Sequence, residues 1–308
     1  MTINCSILLF CQISRISNLR QLKLALVSFL LLSINTVIAE SPPADTGEKS
    51  LSNSTQQVIF INRGTDQAPV FDVQNDSYGP IEFELLADEI INMRSQPALP
   101  IHKLIPARTT VHLARFTQEQ PNQAWSYTYT TRYVVGDPAA KHLTGKPYRL
   151  PFDNLKTFTV SQGFDGSHSH QHSKTKYAID ILMPEDSRVF AARTGTVIEI
   201  VTEKLDDTTA KNVFPVYQLR MLHQDGTMAV YAYLKPGSLS VSPGQHVQRG
   251  QLIGLSGTSL AEDTKPHLHF AIQKNTGMKL ESIPFTFLGA NKTAIEPKTG
   301  MELRHPVY

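Results

Sequence analysis

Cysteine is almost missing from this chain. Of its 308 residues only Cys5 and Cys11 are cysteine, and both lie before residue 39. Beyond that point there is no disulfide, no thiol nucleophile and no thiolate to hold a metal. A long apolar run is missing too. Leu24–Leu32 is broken by Ser28 and falls well short of the roughly 20 residues of a membrane span. Helical periodicity is missing from residues 148–308, where apolar residues alternate in short runs instead. Charge of one sign is also lacking. Basic residues number 29 and acidic residues 27. Three of the basic ones, Arg15, Arg20 and Lys23, precede residue 39, so 26 remain against 27 acidic residues and the net charge there is −1. That balance gives no electrostatic footprint for a nucleic acid, and none is expected as a partner.

The first stretch with a definite pattern is the N-terminus. Lys23 precedes the apolar run, and Val37-Ile38-Ala39 ends it on a small residue. This predicts a secretory signal peptide over residues 1–39 and an exported protein. The alternative is an uncleaved anchor, in which case the membrane is met only through this leader. Residues 40–56 are polar, rich in Ser, Pro, Thr and Asp, and are expected to be a disordered linker.

From residue 57 to 137 short alternating runs recur between turn residues: Val58-Ile59-Phe60-Ile61, Phe71-Asp72-Val73-Gln74, Ile81-Glu82-Phe83-Glu84-Leu85, Thr110–Ala114 and Ser126–Val134. This spacing predicts a β-sandwich. Its histidines, His102 and His112, are isolated and are expected to be structural or exposed. Gly136–Lys141 reads as a connector. A second all-β domain is expected over 148–290, with a tail to 308 packing back on it. Asp225-Gly226 between two apolar runs predicts a hairpin, with His223 beside it. His223 and His246 are expected to be structural or exposed.

The chemistry concentrates in three places of this second domain. Pro266-His267-Leu268-His269-Phe270 presents two imidazoles on one face of a strand, with Leu268 and Phe270 on the other. Asp165–Ser173 is a polar, Gly/Ser-rich loop carrying His168, His170 and His172. Tyr177–Leu182 reads as a strand whose one carboxylate, Asp180, has apolar neighbours, a costly placement unless something pairs with it. One histidine of the loop, Asp180 and one of His267 and His269 make the three-ligand set of a hydrolytic zinc site. The remaining histidine of the pair is then left beside the metal as an acid–base group.

These residues stand in a recognisable order. Together with Ala191-Ala192-x-x-Gly195-x-Val197 and Val241-x-x-Gly244-Gln245-x-Val247-x-x-Gly250-Gln251-x-Ile253-Gly254, they make the chain from about residue 152 to 273 resemble the M23 (LytM/lysostaphin-type) zinc metallopeptidases. Residues 58–150 resemble the β-sandwich that precedes this domain in some bacterial members. The resemblance implies an all-β protein, an N-terminal β-sandwich followed by an M23-type antiparallel β-sheet peptidase domain. It implies Zn2+ as cofactor, held by His170, Asp180 and His269, with His168 and His172 as alternatives to His170. His267 becomes the unligated catalytic histidine. It further implies hydrolysis of peptide cross-links in peptidoglycan, and with the leader it places the protein in the periplasm.

Three positions depart from the family pattern. Tyr233, in Tyr231-Ala232-Tyr233-Leu234, stands where members usually have a second catalytic histidine. Gly257-Thr258-Ser259-Leu260 replaces the usual Gly-x-Thr-Gly, and Asp186-Ser187 replaces a Gly-Thr. The first raises a second expectation. The protein would be a catalytically weakened or inactive member of this fold that binds cell wall or activates another cell-wall hydrolase.

Overall fold

The computed structural model describes residues 10–14, 57–204, 215–258 and 265–306. Of the segment read as a leader, only the strand Phe10–Ser14 is among them. The rest of that segment, the linker 40–56 and residues 259–264 of the altered segment after Gly257 lie outside the described residues. Among the described residues the one helical piece is the short 3-10 segment Ala290–Lys292, and no helix there is long and apolar enough to cross a membrane.

The chain is all-β. Two four-stranded antiparallel sheets come first. One runs Phe10–Ser14, Ser126–Val135, Ile81–Ile91, Ile101–Ile105, and the other Val58–Asn62, Val70–Asn75, Thr109–Gln118, Met93–Gln96. Alternate residues of Val70–Asn75 and of the first half of Ser126–Val135 are buried, as the two-residue period of a strand requires. Their inward side chains meet in one core, with Phe71, Val73 and Phe116 from one sheet and Phe83, Leu85, Ile105 and Tyr127 from the other.

A larger antiparallel sheet follows. Its order is His246–Val247, Gly195–Lys204, Pro215–Leu222, Met228–Ala232, His267–Asn275, Ala178–Leu182, Thr157–Gln162, Glu302–Arg304. The last strand comes from the tail, whose Leu303 is fully buried. The predicted hairpin joins Pro215–Leu222 to Met228–Ala232. Gly226 has φ +78°, and Ala140 of the connector packs so close that a Cβ on Gly226 would lie 2.6 Å from Ala140 Cβ. One face of the sheet carries Ile179, Ile181, Tyr231, Leu268, Phe270 and Ile272 into the main core.

The opposite face is what positions the site. Asp180 stands directly across from His269, and Ala232 across from His269 on the other side. Because parity alternates, His267, His269 and Asp180 share the face whose floor is Ala178, Val230 and Ala271. Contact with the N-terminal sheets lies at the far end. There Asn275 Nδ2 donates to Glu82 Oε2 at 2.9 Å, and Met278 N to the same oxygen at 2.6 Å. Ile198, Met228 and Leu280 pack with Val134 and Val135. Asn275 is the last residue of the strand that His267 begins, about 27 Å away at strand rise.

Candidate metal centre

Three ligand atoms converge at that end. One nitrogen each from His170 and His269 and one oxygen from Asp180 all lie within 4.8 Å of one another. His269 Nδ1 is 2.8 Å from Asp180 Oδ1, and His170 Nε2 is 3.4 Å from the same oxygen. His267 stands at the rim, with Nε2 3.9 Å from it.

Two of these histidines are oriented by the backbone. His170 Nδ1 lies 2.9 Å from the Gly163 carbonyl. A carbonyl only accepts, so Nδ1 carries the proton and Nε2 is left as a bare lone pair. That nitrogen is buried and has no hydrogen-bond partner, although the residue is fully enclosed. A buried polar atom without a partner is costly, and a cation between it, Asp180 Oδ1 and His269 Nδ1 would satisfy it. The donor set of two imidazoles and one carboxylate suits zinc, so these residues fit the ion. His267 is set the same way, its Nδ1 donating to the Lys265 carbonyl at 2.8 Å, and its bare Nε2 faces the site as a proton acceptor.

Burial works against ionisation of Asp180, but the hydrogen bond from His269 and the closeness of the His170 imidazole outweigh it and hold the carboxyl far below the usual carboxylate range. The group is therefore a carboxylate at neutral pH. Its second oxygen, Oδ2, accepts from Gln162 Nε2 at 2.9 Å.

Tyr233 closes the rim. It follows the strand Met228–Ala232 with φ +62°, a backbone region that bulky side chains seldom adopt. Its ring meets the His267 ring edge-on, centroids 4.8 Å apart, and the His269 ring at 6.2 Å. The structure thus brings together His170, Asp180, His267, His269 and Tyr233. His168 and His172, the alternatives to His170, are exposed, and neither belongs to the ligand group.

The other histidines lie elsewhere. His102 meets Glu84 and His112 meets Asp72 in the N-terminal sheets, and His246 is exposed on the outer strand. His223 is buried beside the hairpin, its Nδ1 donating to the Thr194 carbonyl at 3.0 Å, and burial pulls its pKa down to about 4. At the third departure, Asp186 has φ +64° in a turn held by its N–H to the Ser256 carbonyl. Gln162, the Gly163 carbonyl and the Lys265 carbonyl carry no motif in the sequence. Only the position of Gln162 on a strand beside Asp180 could have flagged it.

Residues 174–280 match the model of peptidase family M23. The match takes in Asp180, Tyr233, His267 and His269, and begins just after His170. No curated protein sequence matches the chain. Among solved structures, the chain is similar to a chain of the SpoIIIAH and SpoIIQ complex, at 24% identity over 44% of this chain and 95% of that one, TM-score 0.33. It is similar to a mutant catalytic domain of the prophage-encoded M23 protein EnpA from Enterococcus faecalis, at 18% identity over 43% and 92%, TM-score 0.32. It is also similar to a zinc-containing peptidase from Vibrio cholerae, at 15% over 70% and 55%, TM-score 0.33. Over residues 174–280 the chain is thus similar to peptidase family M23.

Proposed function

We propose that this protein is an exported zinc endopeptidase that hydrolyses the peptide cross-links of peptidoglycan. The observation that carries the zinc site is the bare, buried Nε2 of His170 facing Asp180 Oδ1 and His269 Nδ1. The family match supports the reaction class. The peptide cross-link as substrate and the periplasm as location extend the family resemblance and the leader-like N-terminus.

His170, Asp180 and His269 would hold the ion. When bound, zinc supplies a Lewis acid for the scissile carbonyl and makes water acidic enough to ionise near neutral pH. The chain's own part is proton handling and orientation. His267 Nε2, left bare by the Lys265 carbonyl, takes the proton of the attacking water and returns it to the leaving amine. A phenol has an unperturbed pKa of about 10, so Tyr233 works as a donor, giving a hydrogen bond to the oxygen that becomes negative. It does not replace an imidazole as a base.

Tyr233 also motivates a second reading, a weakened or silent member that binds wall or activates another hydrolase. Losing a positioned acid–base group costs about 10²–10⁴-fold. Incubation of the zinc-loaded protein with purified peptidoglycan separates the two. Release of cleaved stem peptides, abolished in His269→Ala, supports the peptidase. Zinc binding without release, and release gained in Tyr233→His, supports the silent member.

A further inference from the structure

Gln162 touches both halves of the metal centre. It ends the strand Thr157–Gln162 and sits in register opposite Asp180. Its side-chain nitrogen donates to Asp180 Oδ2 at 2.9 Å and to Ser169 Oγ at 2.7 Å. Its side-chain oxygen accepts from the backbone N–H of His168 at 3.0 Å and of Ser169 at 3.3 Å. Two backbone N–H groups can only donate, so the oxygen must face them and the nitrogen must face Asp180. Both N–H groups and both lone pairs are thereby used. The loop wraps this amide closely, since a Cβ on Gly166 would come within 2.2 Å of Gln162 Cγ. The next residue, Gly163, turns His170 by accepting from its Nδ1.

We propose that Gln162 is a positioning residue of the metal centre. It holds Asp180 Oδ2 so that Oδ1 alone is offered to the ion, and it pins the backbone just before His170 so that both ligands are set by one side chain. The inference rests on the zinc reading given above and adds to it the group that aims the ligands. Partners of this kind hold a ligand's orientation before the metal arrives, and their loss typically costs about 10- to 100-fold in metal affinity.

The test uses the full chain. Zinc affinity is measured by competition with a chromophoric chelator for the natural protein, Gln162→Met and Ser169→Ala, beside thermal melting of each metal-free form. Gln162→Met keeps the length and packing of the side chain but has no amide. The expected result is a loss of affinity of about 10- to 100-fold in Gln162→Met, a smaller loss in Ser169→Ala, and a changed absorption spectrum for the cobalt(II)-loaded Gln162→Met protein. Unchanged affinity and spectrum in a folded Gln162→Met protein overturn the proposal. If that variant does not fold, the zinc-loaded natural protein decides in a crystal structure. Asp180 bound through Oδ1 with Oδ2 still on Gln162 supports the proposal, and a bidentate Asp180 with Gln162 displaced overturns it. A natural protein that binds no zinc instead removes the metal site itself, a result that needs no variant to recognise.

Discussion

His170 and His223 are buried alike and tied alike, yet they sit in opposite kinds of surroundings. Each donates Nδ1–H to a backbone carbonyl, of Gly163 and Thr194 respectively, and each leaves a buried Nε2 without a partner. Each also has an aspartate in its cluster. The aspartates decide the difference. Asp225 is saturated: Thr227 N and Oγ1 donate to one oxygen, Leu143 N and Arg193 Nη1 to the other. Arg193 already supplies the cation, stacked 3.6 Å over the Tyr148 ring. That cluster fastens the connector to the hairpin and leaves no oxygen for an ion. Asp180 is half saturated. Gln162 holds Oδ2, while Oδ1 has only an imidazole proton, from His269, which a metal can replace. A buried lone pair becomes a metal site when other open ligands converge on it.

Substitutions should tell the two clusters apart, beginning with the largest effect. His269→Ala removes a ligand and is expected to abolish both zinc binding and peptide release, read by metal analysis and by chromatography of the digest. Tyr233→His is expected to raise turnover, by as much as about 10²–10⁴-fold where a missing acid–base group is what limits the natural protein, read in initial rates at saturating zinc. Asp225→Ala strips four donors of their acceptor and leaves Arg193 uncompensated. It should destabilise the fold by about 3–5 kcal/mol in denaturant unfolding, the scale for breaking a buried pair, while zinc affinity of the folded fraction stays as it was.

Acid acts on the second cluster in its own way. The pKa of His223 falls from 6.5 to about 4 on folding, so the folded state favours neutral imidazole. Its contribution is present in full above pH 6.5 and is lost as pH falls toward 4, a total of roughly 3 kcal/mol at about 1.36 kcal/mol per unit. His223→Gln should flatten that limb of the stability profile of the metal-free protein.

Much of this site was legible because strand parity and chemistry coincide there. His267-Leu268-His269-Phe270 alternates imidazole with core side chain, and Asp180 is the lone carboxylate between Ile179 and Ile181, so the face could be assigned without coordinates. The hairpin at Asp225-Gly226 was equally plain. His170 was separable from His168 and His172 only through family spacing, because a Gly/Ser-rich loop has no period. Its selection depends on the Gly163 carbonyl and on Gln162, contacts made across the sheet. Met93–Gln96 and Ile101–Ile105 carry little strand signal, both being short and flanked by Pro97 and Pro100, and the first mostly polar. That His223 is enclosed while His246 is exposed follows from the connector lying over the hairpin, a tertiary fact with no local signal.

Zinc content and affinity should be measured on three full-length proteins side by side: the natural chain, His170→Ala and His223→Ala. Stoichiometric, tightly held zinc is expected in the natural chain and in His223→Ala, and its loss in His170→Ala. Zinc retained by His170→Ala, or lost by a folded His223→Ala, would contradict the assignment of the bare His170 nitrogen as the ligand.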